Sequence, residues 1–107
     1  METKPRLLDR VSQIAAGPGD IERRVQVAEE AILGERRRFT SSAAGRIQWN
    51  WYMGQLAQDI GLERSRLVRS VGRRTKPGEA APEHIIELFD RLTPQILALK
   101  EADEGSK

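Results

Sequence analysis

Residues 53–72 read Met53-Gly-Gln-Leu-Ala-Gln-Asp-Ile-Gly-Leu-Glu-Arg-Ser-Arg-Leu-Val-Arg-Ser-Val-Gly72, and the interpretation of the whole chain depends on this stretch. Ala57 is small enough for two helices to cross there, and Gly61 tolerates the positive φ of a tight turn. The apolar residues that bracket this expected turn are Leu56, Ile60, Leu62, Leu67 and Val71. The pattern therefore predicts two short helices that meet at Gly61.

This segment resembles the helix-turn-helix of phage-repressor-type DNA-binding proteins. The residues that carry the resemblance are Ala57, Asp59, Ile60, Gly61, Leu62, Ser65, Leu67, Arg69 and Val71. The resemblance covers only residues 53–72, and no family is recognised for the chain as a whole. It implies that the second helix enters the major groove of DNA, where its first residues face base edges. The base-reading candidates are Arg64, Ser65, Val68 and Arg69.

Two positions depart from the family's pattern. Met53-Gly54 stands where a glutamine usually begins the motif and contacts phosphate, although Gln55 is adjacent. Arg66 occupies a position that is normally small and half-buried. A different interpretation therefore competes with DNA binding, namely two core helices that meet at a glycine turn, as is common in all-α proteins.

The charges of the 107-residue chain are segregated, although they sum to only +2. Residues 1–35 carry 5 basic and 7 acidic residues (−2), residues 36–76 carry 10 and 2 (+8), and residues 77–107 carry 3 and 7 (−4). The central block coincides with the motif and is a candidate anion-binding face. Within it, the candidates for contact with DNA phosphates are Arg46, Gln55, Arg66, Arg73, Arg74 and Lys76.

Apolar residues recur at helical spacing along nearly the whole chain, which predicts an all-α fold of five or six short helices with a central helix-turn-helix. A first helix ends at Gly17-Pro18-Gly19, and Asp20 caps a second that ends near Gly34. Whether residues 42–60 form one helix or two stays open, and Gly61 is the next expected break. A helix follows over residues 63–74, and another begins at Pro82. Thr93-Pro94 predicts a separate or kinked final helix.

We expect a single helical domain over residues 1–107. Residues 7–38 would supply N-terminal helices that can dimerise, residues 39–76 the helix-turn-helix region and residues 82–102 the C-terminal helices. The chain contains no cysteine and a single histidine, His84, so no metal site or other cofactor is expected. Neither a catalytic constellation nor a membrane span is recognisable, which predicts a non-enzymatic, cytoplasmic protein. If it binds DNA, we expect it to be associated with the nucleoid.

Three aromatic residues lie within four positions of the chain, namely Trp49, Trp51 and Tyr52. Positions 49 and 51 lie about 200° apart on a helix, so both tryptophans cannot face one core. One interpretation is a dimer or partner interface, because tryptophan and tyrosine dominate binding hot spots. The other is an ordinary core residue beside an amphipathic surface residue.

Two functions follow from these observations. The first is a small transcriptional regulator that binds double-stranded DNA through the helix-turn-helix, as a homodimer because one such motif reads few base pairs. The second is a helical adaptor or inhibitor that binds an acidic protein partner through the arginine-rich face. The sequence leaves the operator, the sign of regulation and the dimerising helices open.

Overall fold

The structure is a computed structural model and describes residues 6–73, 77–78 and 80–101. These residues form four α-helices, α1 (Leu7–Ala16), α2 (Ile21–Gly34), α3 (Ala43–Ser70) and α4 (Pro82–Ala98), with a short 3₁₀ helix at Arg36–Arg38. The described part of the chain contains no strand, so the all-α prediction is confirmed. The expectation of five or six helices is wrong, because two expected breaks, at Gly61 and at Thr93-Pro94, do not occur.

Local capping explains where several helices begin. The Asp20 carboxylate accepts a hydrogen bond from the Arg23 N–H at 2.8 Å, so it caps α2 as the sequence predicts. The Ser42 hydroxyl caps α3 in the same way, accepting from the Gly45 N–H at 3.2 Å. Pro82 occupies the first turn of α4, where its missing N–H leaves no hydrogen bond unmade.

One hydrophobic cluster joins the four helices. Helix α4 contacts each of the others, and its contact with α3 is the most extensive. The buried members are Leu7, Val11, Ala15, Ala28, Ile32, Trp49, Met53, Leu56, Ile60, Leu88, Phe89, Leu92 and Ile96. Because α4 contacts all three other helices and supplies four buried residues, it forms the centre on which α1, α2 and α3 are assembled.

The turn expected at Gly61 is absent, because α3 continues through this position as one 28-residue helix. Gly61 does not adopt the positive φ that the tight turn would require. Ile60 is buried before it and Leu67 packs against the core seven residues later, so the inward face keeps one register through the glycine. Contact with α4 offsets the cost of about 1 kcal/mol for a glycine inside a helix.

The break expected at Thr93-Pro94 is also absent, since α4 runs through Pro94 to Ala98. Leu92 and Ile96 are fully buried on either side of the proline, so the core holds both halves of the helix in line. The Thr93 hydroxyl donates to the Phe89 carbonyl at 2.8 Å and supplies local hydrogen bonding beside the proline.

A buried arginine fastens the connection between α1 and α2 to α4. The Arg24 guanidinium donates to the carbonyls of Ala15 at 3.0 Å, Gly19 at 3.1 Å and His84 at 3.1 Å. The ring of His84 lies 3.0 Å from the Gly17 carbonyl. The only histidine of the chain is therefore half-buried and engaged in holding this connection.

Candidate interaction face of helix α3

Helix α3 has apolar residues on two opposite faces, and the residues that the structure describes cover only one of them. Trp49, Met53, Leu56 and Ile60 are buried on the inward face. Four apolar side chains point away from the core and define the outward face. Their exposed fractions are 61% for Ile47, 69% for Trp51, 65% for Leu62 and 47% for Val68. An exposed apolar face of this kind is typical of an interaction site.

Trp49 belongs to the core and not to an interface, which corrects its place among the interface candidates. Its indole is 1% exposed and its N–H donates to the Leu99 carbonyl at 2.9 Å. The Phe39 ring meets it edge-on, with ring centroids 5.7 Å apart. The Arg36 guanidinium lies 5.8 Å from the centre of the Trp49 ring. All sides of this tryptophan therefore contribute to packing between α3, the 3₁₀ helix and the end of α4.

Tyr52 and Trp51 occupy different surroundings. Tyr52 is half-buried beside Phe39, with ring centroids 5.6 Å apart. Burial raises the pKa of the Tyr52 hydroxyl, and the nearby Glu35 carboxylate raises it further. Trp51 projects from the outward face. Of the three aromatic residues assigned to an interface from the sequence, Trp51 alone presents most of its side chain there.

The four base-reading candidates lie on the last turns of α3 and not on a separate recognition helix. Arg64 forms a two-point ion pair with Asp90 of α4, at 2.5 and 3.3 Å, and this pairing raises the pKa of the guanidinium. The Ser65 hydroxyl donates to the Gly61 carbonyl at 3.1 Å. Val68 and Arg69 are exposed. The candidates share one stretch of helix, but Arg64 already has a carboxylate partner.

The phosphate candidates are scattered. Arg46 is half-buried and donates to the Ser41 carbonyl at 3.3 Å. The Gln55 amide donates to Asp59 at 3.1 Å, and Arg66 pairs with Glu63 at 3.1 Å. The exposed candidate beyond the end of α3 is Arg73, and Arg74 and Lys76 lie outside the described residues.

Acidic residues from outside the central basic block neutralise part of it. Glu101 pairs with Arg36 at 2.6 Å, and Glu35 pairs with Arg38 at 3.0 Å. Asp90 pairs with Arg64, as described above. The charge segregation of the sequence is therefore partly reversed in space, because folding places acidic residues beside the arginines. This weakens the case for a broad polyanion-binding face and leaves the apolar outward face as the more distinctive surface.

Sequence reasoning missed the clamp that Glu101 makes at the end of α4. The Glu101 N–H donates to the Asn50 side chain, and the Asn50 amide donates to the Glu101 carbonyl, both at 2.7 Å. Arg36 hydrogen-bonds the carboxylate and lowers the pKa of Glu101. No periodicity joins residues 51 or 65 apart in sequence, so no local signal could have found these contacts.

Comparison with protein-family models, curated protein sequences and solved structures found no match to this chain. Among the described helices, none is long and apolar enough to cross a membrane. Residues 6–73, 77–78 and 80–101 contain no group of three or more acidic, histidine or cysteine side chains placed to hold a metal ion. The outward face of α3 is the candidate site, because its apolar side chains are exposed.

Proposed function

We propose that the protein is a non-enzymatic helical interaction module that binds a protein partner through the outward face of α3. The observation that carries this proposal is the alignment of Ile47, Trp51, Leu62 and Val68, each about half exposed or more, on one side of a single helix. The proposal keeps the adaptor function and moves its contact surface from the arginines to these apolar side chains.

The energetics favour Trp51 as the anchor of such an interface. An aromatic side chain buries about 150–250 Å² at an interface. At about 25 cal/mol per Å², covering the exposed part of this indole would contribute roughly 2–4 kcal/mol. The exposed Arg66 and Arg69 flank the far end of the face and would form a charged rim. The arrangement matches an apolar centre beside a polar rim.

Photo-crosslinking in the cells that produce the protein tests this proposal. We would place p-benzoylphenylalanine at position 51 and, as a matched control, at Leu97, which is exposed on α4. We expect position 51 to give one defined protein adduct after irradiation, and position 97 to give none. No adduct at position 51, or the same adducts at both positions, would contradict the proposal.

DNA binding is the second candidate, and one observation favours it. Arg66, Arg69 and Arg73 are exposed within eight residues at the end of α3, so this end of the helix is cationic. Such a cluster can neutralise DNA phosphates, and its affinity would fall steeply with salt. The contact would be made by the end of a continuous helix rather than by a helix-turn-helix.

A gel shift at two salt concentrations tests the second candidate, with Arg23→Ala as the control because Arg23 is exposed on α2. If Arg69 reads a base, Arg69→Ala should weaken binding by about 1–3 kcal/mol and relax the sequence preference. Equal retardation of both variants, or no retardation at low salt, would reject this role for the end of α3.

A further inference from the structure

The outward side of α3 carries a regular heptad-like pattern from end to end. Spacings of three and four residues alternate along eight positions, which we call the α3 seam. These positions are Ala44, Ile47, Trp51, Gly54, Gln58, Gly61, Ser65 and Val68. Each is exposed or half-exposed. None carries a charge, although 32% of the chain is charged. This spacing is the one by which two helices pack along a common axis.

The α3 seam of one copy is complementary in side-chain size to the α3 seam of a second copy that runs in the opposite direction. When the two are aligned antiparallel, each large or long side chain lies opposite a small residue: Ile47 opposite Ser65, and Trp51 opposite Gly61. Val68 with Ala44 and Gln58 with Gly54 complete the series. A two-fold axis at the middle of two antiparallel helices brings these pairs to the same level, as a self-complementary interface requires.

We propose that a second copy of this chain is the partner, with its α3 antiparallel on the α3 seam and Trp51 over the partner's Gly61. This proposal rests on the proposed function, because the α3 seam shares Ile47, Trp51 and Val68 with the outward face, and Leu62 lies beside the seam. The α3 seam spans about 36 Å at the rise of an α-helix. One pair of helices lies at the small end of protein interfaces. We therefore expect a dimer that dissociates on dilution.

Gly61 gives further support, because no contact among the described residues requires a glycine there. A Cβ built on Gly61 meets no atom within 4 Å, and its φ is not positive. By contrast, a Cβ on Gly45 would collide with the Thr40 backbone, so the fold explains that glycine. A glycine inside a helix destabilises it relative to alanine. The close approach of a partner's Trp51 accounts for its presence.

The polar members of the α3 seam can be covered at low cost. The Ser65 hydroxyl already donates to the Gly61 carbonyl and needs no water. Gln58 lies near the middle, where the amides of the two copies can hydrogen-bond across the axis and set the register. At Gly54 the nearest side chain is that of Lys100, which is flexible and lies 3.4 Å from the built Cβ position.

Disulfide trapping tests the antiparallel register directly, since the chain has no cysteine of its own. Ile47→Cys and Ser65→Cys would be prepared as separate proteins, oxidised with diamide alone and as an equal mixture, and analysed by non-reducing electrophoresis. In the proposed dimer, two copies of position 47 are about 27 Å apart along the axis, far beyond the span of a disulfide. We expect a crosslinked dimer from the mixture only.

Crosslinking of each protein alone would indicate a parallel pair and overturn the proposal, and no crosslinking in any sample would overturn it as well. Gly61→Gln is the matched control for folding. It fills open space in the monomer, so it should raise the thermal midpoint while weakening self-association at least tenfold. Self-association that survives Gly61→Gln would contradict the contact with Trp51. If dimers are absent but position 51 still crosslinks another protein, the proposed function stands and the second copy is rejected.

Discussion

The two faces of α3 differ in what covers them more than in how apolar they are. Trp49 and Trp51 are two residues apart, yet the first is 1% exposed and the second 69%. Helix α4 and Phe39 cover the inward face. In the described part of the chain, no element covers Ile47, Trp51 and Leu62 to a similar extent. The comparison teaches that one helix can present apolar side chains to the core and to the surface at once.

The glycines of α3 separate the two faces in the same way. Gly45 lies on the inward side, where the Thr40 backbone leaves no room for a side chain. Gly61 lies on the exposed side with open space above it. Contacts within the chain explain the first, and the proposed contact with a second copy would explain the second. Substitutions on the two faces should therefore have different, and in one case opposite, effects on stability.

The largest difference is expected between the two tryptophans. Trp49→Ala should lower the free energy of unfolding by about 3–5 kcal/mol, because it removes a buried ring and its hydrogen bond to Leu99. Trp51→Ala should change it by about 0.5 kcal/mol or less. Urea unfolding followed by circular dichroism, at a protein concentration low enough to avoid self-association, measures both values. Similar losses for the two variants would refute the assignment of inward and outward faces.

Alanine substitutions at the two glycines should change the free energy of unfolding in opposite directions and by smaller amounts. Gly45→Ala should destabilise the protein by about 1–3 kcal/mol, since the Thr40 backbone must move. Gly61→Ala should stabilise the monomer by about 0.5–1 kcal/mol through higher helix propensity. The same unfolding experiment compares them. A destabilising Gly61→Ala would mean that this position has a role within the chain.

The smallest effect concerns the clamp between Glu101 and Arg36, which holds the end of α4 over the inward face. The pKa of Glu101 is lowered in the folded protein, so its ionised form stabilises the fold above the ordinary carboxyl pKa, and this contribution is lost as the pH falls through the lowered value. The thermal midpoint of the wild type should exceed that of Glu101→Gln at pH 6, and the difference should shrink steadily as the pH falls below the ordinary carboxyl pKa. A difference that is independent of pH would rule out an electrostatic origin.

Local sequence signals correctly predicted several helix boundaries. The Asp20 cap, the Pro82 start and the end of α1 at Gly17 depend on neighbouring residues only, and the structure contains each of them. The alternation of Trp49 and Trp51 between core and surface also follows from the angle between adjacent helical positions. Features that depend only on neighbouring residues could therefore be predicted from the sequence.

Tertiary contacts decided the rest. Gly61 and Pro94 are usual signs of a break, yet both lie inside helices because buried residues on either side keep each helix against its neighbour. The pairing of Arg64 with Asp90 joins residues far apart in sequence. Neither outcome can be read from local composition. The candidate site could have been predicted if the spacing of three and four residues had been continued through Gly61, because this spacing places the exposed apolar residues on one face. The turn expected at Gly61 divided that face between two helices.

Sedimentation equilibrium over a range of protein concentrations tests most directly whether the outward face of α3 is an interface between two copies. Three proteins would be compared, the wild type, Trp51→Ala and the control Leu97→Ala, whose leucine is exposed on α4. The wild type and Leu97→Ala should shift from the 12.1 kDa monomer to a dimer as concentration rises, while Trp51→Ala stays monomeric. The same mass for all three proteins at every concentration would contradict this account.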